Sequence, residues 1–406
     1  SANINRSDKY LLVTHYLFPS KLNPHGTGKQ IVVQRQFYKV NLEEMNHRQI
    51  SRRDFINIAA LGLGGIGLTF RPKFPLLSEF LPYERLGRVC VGMAEVKARP
   101  NINSQTVGVL YEDAIVPWLR EGVTDSTDIN RIIQRWVETP DGFLYSPYVQ
   151  PVRNLPNDPI SRLQPMSLGE GSWAEVTVPY ADVILNSTPS SHSWVSARVE
   201  QGLPVRVYYG QIFLVDRIET RDDGNVYYRV NPNYYGGLDM LWVPAEAMRI
   251  IYPEEIAPIN PDAGDKKVVI DIKRQTLSCY EAEQEIYFCR VSTGIETGST
   301  PIGSHRISRK YISLQMSGSG SGGTGAGYDL PGIGWTSIFV TGGVAIHATV
   351  WHNEFGFPRS HGCVNCLPED AKWIFRWSQP VVTYDPGMLD ISISGEGSTS
   401  IEVIES

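Results

Sequence analysis

Three of the eight histidines and two of the five cysteines fall between residues 346 and 366: His347, His352, His361, Cys363 and Cys366. A thiol attacks as its thiolate. With an ordinary pKa of ~8.5 it needs a base or a cationic neighbour, and donors for the oxyanion that develops on the attacked carbonyl. Cys363, set between Gly362 and Val364 and next to His361, is the candidate nucleophile. On residue type alone His347 and His361 are equal candidates for the base. The same five residues offer a competing chemistry, a Cys/His zinc site, although the His347-x₄-His352 spacing is wide for one. Cys363-Val-Asn-Cys366 is also a C-x-x-C, the spacing of a redox pair, and a disulfide there would disable the nucleophile. The chain lacks the βαβ context that such a motif needs.

A strand and a loop must carry His347 back over sixteen residues to Cys363. The chain has 406 residues, 42% hydrophobic and 20% charged, which describes an ordinary globular protein of two to three domains. A net charge of -6 argues against a nucleic-acid binder. The 37 Gly, 27 Pro, 20 Tyr and 9 Trp point to a mainly β protein rich in turns. Five cysteines are too few for a disulfide scaffold.

Residues 86–152 read as short strands and turns, with the alternating run Ala94–Arg99 and a turn at Thr139-Pro140-Asp141-Gly142. Residues 170–251 repeat the scheme: Ala174-Glu175-Val176 echoes Ala94-Glu95-Val96, and Asp222-Asp223-Gly224 signals a hairpin. Each module resembles a bacterial SH3-like barrel, for which exposed aromatics such as Trp118, Tyr234 and Tyr235 would bind cell-wall glycopeptide, or else fill the barrel core. Pro-rich joints at 150–165 and 252–261 predict stiff, extended connections. Beyond them lie three strands: Lys267–Ile272, Gln275–Tyr280 and Glu285–Val291. Cys279 and Cys289 are candidates to face each other across the hairpin formed by the last two. A helix is expected from Pro368, with Ala371, Ile374 and Phe375 as its apolar stripe.

The third unit, 266–386, is followed by a polar tail at 387–406. Its motifs are Ser292-Thr293-Gly294, Thr300-Pro301-Ile302-Gly303, Tyr328–Gly332, Ala345-Ile346-His347 and Ser360-His361-Gly362-Cys363-Val364-Asn365. In these it resembles the L,D-transpeptidase (YkuD-type) catalytic domain. The resemblance implies Cys363 as nucleophile and His347 as base, with the Ala348 carbonyl holding the other ring nitrogen and His361 flanking the thiol. It implies that Gly362 admits substrate to the backbone and that Ser360 and Asn365 support the loop. Tyr328, Trp351 and His352 would line the substrate groove, and the Gly-rich run 317–327 would form a lid.

The implied reaction takes place on peptidoglycan stem peptides. Cys363 displaces the terminal D-Ala of a tetrapeptide, and an acceptor amine resolves the thioester into a cross-link. L,D-carboxypeptidase activity or wall-protein attachment are the alternatives. No metal or organic cofactor is implied, and carbapenem-type inhibitors are expected to acylate the thiol. Such an enzyme works outside the cytoplasm. Within residues 45–72, Ser51-Arg52-Arg53-Asp54-Phe55-Ile56 runs into an uncharged stretch ending at Phe70, which resembles a twin-arginine export signal. That stretch is shorter than the ~20 residues of a membrane span. Residues 1–44 receive no fold or function.

Overall fold

The computed structural model describes residues 10–15, 36–41, 80–124, 133–185, 190, 192–231, 241–318, 328–392 and 397–406. The expected export segment, Tyr234, Tyr235 and residues 319–327 of the Gly-rich run lie outside them. The chain divides into two compact units, Ser1–Arg71 and Pro72–Ser406. In the first, Tyr10–His15 pairs antiparallel with Gln36–Asn41. Among the described residues no helix is long and apolar enough to cross a membrane.

Mainly β structure fills the second unit. Its first module joins a three-stranded sheet, with Leu86–Val89 between Ile115–Pro117 and Val149–Val152, to a five-stranded sheet that includes Met93–Lys97, Arg135–Thr139 and Gly142–Tyr145. Period-two alternation turns Ala94 and Val96 inward while Glu95 faces water. Trp118 is buried with them in the module's own core.

The second module is built on Gly169–Val176, Ile212–Thr220, Val226–Asn231 and Leu241–Pro244. Residues 171–174 and 212–215 of these strands are buried on both faces. Ala174, Val176, Phe213 and Val215 fill the module's own core. The alternate residues Trp173, Ile212 and Leu214 belong to the core of the third unit. Close approach there depends on Gly332 and Gly334. A Cβ on Gly332 would lie 2.6 Å from the Phe213 ring, and one on Gly334 would lie 2.7 Å from the Ile212 side chain. The second joint is not extended. Pro253–Ile256 forms a 3₁₀ turn, Ile256 is buried in the third unit's core, and Glu255 bridges Arg249 (2.7 Å) and Lys372 (3.1 Å). That ion-paired turn offers more contacts than a solvated extended joint could.

The third unit holds two five-stranded sheets. One runs in the order Gln284–Arg290, Thr276–Glu281, Lys266–Asp271, Ser400–Ile404, Gly303–Arg306. The other runs Val364–Cys366, Ala345–Ala348, Tyr328–Ile338, Arg309–Gly318, Met388–Asp390. Helix Pro368–Trp377 starts on its proline and buries Ala371, Ile374, Phe375 and Trp377 in the core that the two sheets share. Lys266 and Lys310 donate to its last carbonyls: Lys310 Nζ to Phe375 and Ser378 (2.6 and 2.7 Å), Lys266 Nζ to Trp377 (2.9 Å).

Two expectations need correction. Residues 387–406 are not a polar tail. Ser400–Ile404 is an interior strand, parallel to Lys266–Asp271, with Ile401 and Val403 fully buried. A five-residue strand, Ser-Ile-Glu-Val-Ile, near the end of a polar stretch gave little signal. Nor do Cys279 and Cys289 face each other. The register pairs Cys279 with Tyr287 and Leu277 with Cys289, and all five cysteines are free. A register irregularity between Cys279 and Tyr280 separates the hairpin's end from that pairing.

Because the second module's strands help form the third unit's core, the two should unfold together. Trp173→Ala should cost about 3–5 kcal/mol and keep a single unfolding transition. Denaturant titration followed by circular dichroism and by fluorescence checks this. Two separable transitions would contradict a shared core.

Candidate active site

The site is assembled on a short parallel pair. Ala345–Ala348 runs beside Val364–Cys366 with Ile346 opposite Val364, His347 opposite Asn365 and Ala348 opposite Cys366. Ile346, Ala348, Val364 and Cys366 all point into the large core under the helix. Ala345 and Cys363 pack on the opposite side, against Tyr311 and Ile338. Alternation therefore sends His347 and Asn365 to the face that carries Cys363. The same alternation separates the two thiols of the C-x-x-C, since Cys366 is core and Cys363 is not. That opposes both the redox pair and the zinc reading. Among the described residues no three His, Cys, Asp or Glu side chains converge as metal ligands.

His347 is 2% exposed, and its Nδ1 lies 2.9 Å from the Ala348 carbonyl oxygen. That contact places the ring proton on Nδ1 and leaves Nε2 as an acceptor. Burial lowers its pKa to about 4, although the Ala348 carbonyl pulls the other way. The Trp351 ring lies against it at 5.9 Å between centroids. Cys363 Sγ points to the Gly343 carbonyl at 3.7 Å, and burial raises its thiol above the ordinary value. His361 is exposed on the loop beside it.

The loop 360–363 is held by the motifs far upstream. Ser292 and Asn365 exchange backbone hydrogen bonds (3.0 and 2.9 Å), and Thr293 accepts the N–H groups of Arg359 and Ser360. The Thr300 hydroxyl accepts from Gly294 N–H (3.0 Å) and donates to the Gly362 carbonyl (2.7 Å). Ser360 Oγ accepts from Gly362 N–H (3.0 Å) and donates to the Cys363 carbonyl (2.6 Å). Gly362 has φ +148°, and a Cβ there would sit 2.5 Å from the Ser299 carbonyl oxygen. The loop thus requires glycine for conformation and for space.

His352 is 3% exposed, with both ring nitrogens engaged internally, and it borders the cavity lined also by Trp118, Thr349, Asn353 and Pro368. Glu354 N–H donates to Nδ1 at 3.1 Å, which fixes the ring proton on Nε2. Nε2 lies 2.8 Å from Asn365 Nδ2; with the ring proton on Nε2, turning the carboxamide over lets its oxygen accept there. Burial, with the Arg359 and His347 charges, lowers His352 to about 3 and keeps it neutral. Asn365 is therefore tied to the loop through His352. Trp351 is half-buried. Tyr328 begins the strand that follows the Gly-rich run. Thr300 and Gln275, the latter bonded to both Thr293 N and Thr293 Oγ1 (2.7 Å each), support the loop with no chemical signature of their own. Only the Thr-Pro step flagged Thr300.

A mainly β fold with a thiol and a buried imidazole on one sheet face defines the class of site. Residues 265–393, roughly a third of the chain, match the family model of the L,D-transpeptidase catalytic domain, YkuD. The chain carries such a domain. No curated protein sequence matches it. Solved structures similar to it include three L,D-transpeptidases. One, from Mycobacterium smegmatis, is 20% identical, covering 46% of this chain and 81% of that one at a TM-score of 0.27. L,D-transpeptidase 3 from Mycobacterium tuberculosis is 17% identical, covering 57% and 94%, at 0.28. A mutant of the Enterococcus faecium enzyme is 21% identical, covering 34% and 50%, at 0.27. The chain thus spans half the length of the last. Likeness at that level carries no weight for the reaction.

Two outcomes follow. Gly362→Ala should leave the far-UV spectrum intact and lower the rate of Cys363 acylation about a hundredfold, because the Ser299 backbone cannot move aside. The second concerns acid stability. His347 and His352 have folded pKa values below the ordinary 6.5, so the unfolded chain binds more protons as pH falls. Their stabilisation is complete above about pH 6.5 and is lost toward pH 4. Asp370, raised to about 6 by burial, acts in the opposite sense over part of that range. Comparing the Tm–pH slope of the wild type with that of His352→Gln removes the common background. The variant should show the shallower acid fall.

Proposed function

We propose that this protein is a peptidoglycan L,D-transpeptidase working outside the cytoplasm, with Cys363 as nucleophile and His347 as general base. One observation carries the reading: the parallel register that sends Cys363 and His347 to one face while the Ala348 carbonyl holds Nδ1 and frees Nε2. Burial raises the thiol and lowers the imidazole, so both are neutral at pH 7. The Cys363 proton then passes to His347 Nε2 as sulfur attacks the carbonyl before the terminal D-Ala, rather than resting there beforehand. The Cys363 amide, with a neighbouring backbone amide, serves the developing oxyanion, while the Gly362 N–H is taken by Ser360 Oγ. Collapse of the adduct expels D-Ala, whose nitrogen takes the proton from His347, and leaves a thioester. An acceptor stem amine attacks the thioester, loses its proton to His347, and the thiol is restored with one new amide. Ser360, Asn365 and His352 keep the loop in register. His361 and Trp351 border the substrate. The export signal at Arg52-Arg53 and the two modules fit an enzyme delivered to the wall.

Intact mass after incubation with a stem tetrapeptide tests this. Wild type should gain the acyl group less D-Ala, Cys363→Ser should gain nothing, and His347→Gln should acylate about 10²–10⁴-fold more slowly. Adding an acceptor stem should yield cross-linked dimer. Free tripeptide alone would instead indicate the carboxypeptidase reaction. An unmodified, folded wild type in the presence of tetrapeptide and of a carbapenem would contradict the proposal.

A further inference from the structure

Arg88 belongs to the first module, far from Cys363 in sequence, yet it reaches the segment that follows the strand carrying His347. Its Nη2 donates to the Val350 carbonyl at 2.6 Å. Val350 lies just beyond Ala348, whose carbonyl holds His347 Nδ1, and just before Trp351, whose ring lies against His347. The guanidinium is 3% exposed and fixed on every side. Nε and Nη2 donate to Gln150 Oε1 (3.0 and 2.8 Å), Nη1 pairs with Asp113 (2.9 Å), and its plane lies 4.2 Å from the centroid of the Tyr208 ring in the second module. Asp113 is itself held by Arg206 at 2.8 Å. A second tie comes from the same module: Asn353 Nδ2 donates to the Ser146 carbonyl and Asn353 N–H to that of Pro147, each at 3.2 Å. The segment that follows the base is thus bonded at Val350 and at Asn353 to a domain to which the proposed chemistry assigns no side chain.

We infer that Arg88 is a positioning residue for His347 and that the first module completes the active site mechanically. The buried guanidinium sets the Ala348–Trp351 segment and, through it, the tilt and burial of the imidazole. An unpaired carbonyl at Val350 would draw water toward the ring. The inference rests on the reading of His347 as the base.

The test is the pH dependence of Cys363 acylation by a carbapenem, followed by intact mass, in wild type, Arg88→Met, Arg88→Lys and Asn353→Ala. Arg88→Met should lower the acylation rate constant about ten- to a hundredfold with the half-saturating concentration within about twofold, and should move the acid limb upward as the ring becomes hydrated. Arg88→Lys should recover part of the rate, since one donor can still reach Val350. Asn353→Ala should shift the limb in the same direction by less. Wild-type rates and limbs in folded Arg88→Met would overturn the inference. So would a loss matched by a smaller reactive-thiol fraction, with an unchanged limb in what remains. If Arg88→Met does not fold, an unshifted limb in both Arg88→Lys and Asn353→Ala would overturn it equally. Failure of the wild type to acylate would instead count against the catalytic reading itself.

Discussion

Everything in the site depends on one short parallel pairing, Ala345–Ala348 beside Val364–Cys366. Three residues on each strand decide which side chains meet. The apolar ones drive into the core beneath helix Pro368–Trp377, and burying them forces the polar ones to the opposite face. A slip of one residue would put the thiol side of the loop into the core and Cys366 in its place. Much of the surrounding structure guards that register. Ser292-Thr293-Gly294 and Thr300 bond to the incoming loop, Gly362 fits only without a side chain, and two buried lysines finish the helix on which the strands rest.

The burial that fixes the register also sets the electrostatics. A low imidazole pKa and a raised thiol pKa are both desolvation effects. Together they leave both groups neutral at pH 7; under the proposed reaction the proton would move only during attack, and a dry site would prolong a thioester. The cost is two neutral histidines in the interior, which couples stability to acid pH.

Cys363 stood out as a candidate from its Gly-Cys turn beside a histidine, whereas His347 and the Ala348 carbonyl were set apart from His361 only by the resemblance to the L,D-transpeptidase domain. The helix was legible from its proline, acids and stripe. Three features were not. The internal bonds of His352 were hidden, because sequence cannot reveal that Glu354 and Asn365 occupy both its nitrogens. The last strand, Ser400–Ile404, was too short to distinguish from a tail. Arg88 was invisible because its partners, Gln150, Asp113 and Val350, become neighbours only when the modules dock. Local patterning announces elements. Contacts between modules are set by surfaces that alternate with them, as Trp173 and Ile212 show from the reverse face of a strand.

The most direct measurement is the pH profile of Cys363 acylation in wild type beside His347→Gln. With a buried neutral imidazole as base, the wild-type rate should hold from neutrality down to about pH 5 and fall only near the His347 pKa of about 4. His347→Gln should be slow throughout and lack that limb, rising only as the thiol itself ionises. Superimposable profiles in the two proteins would contradict the account.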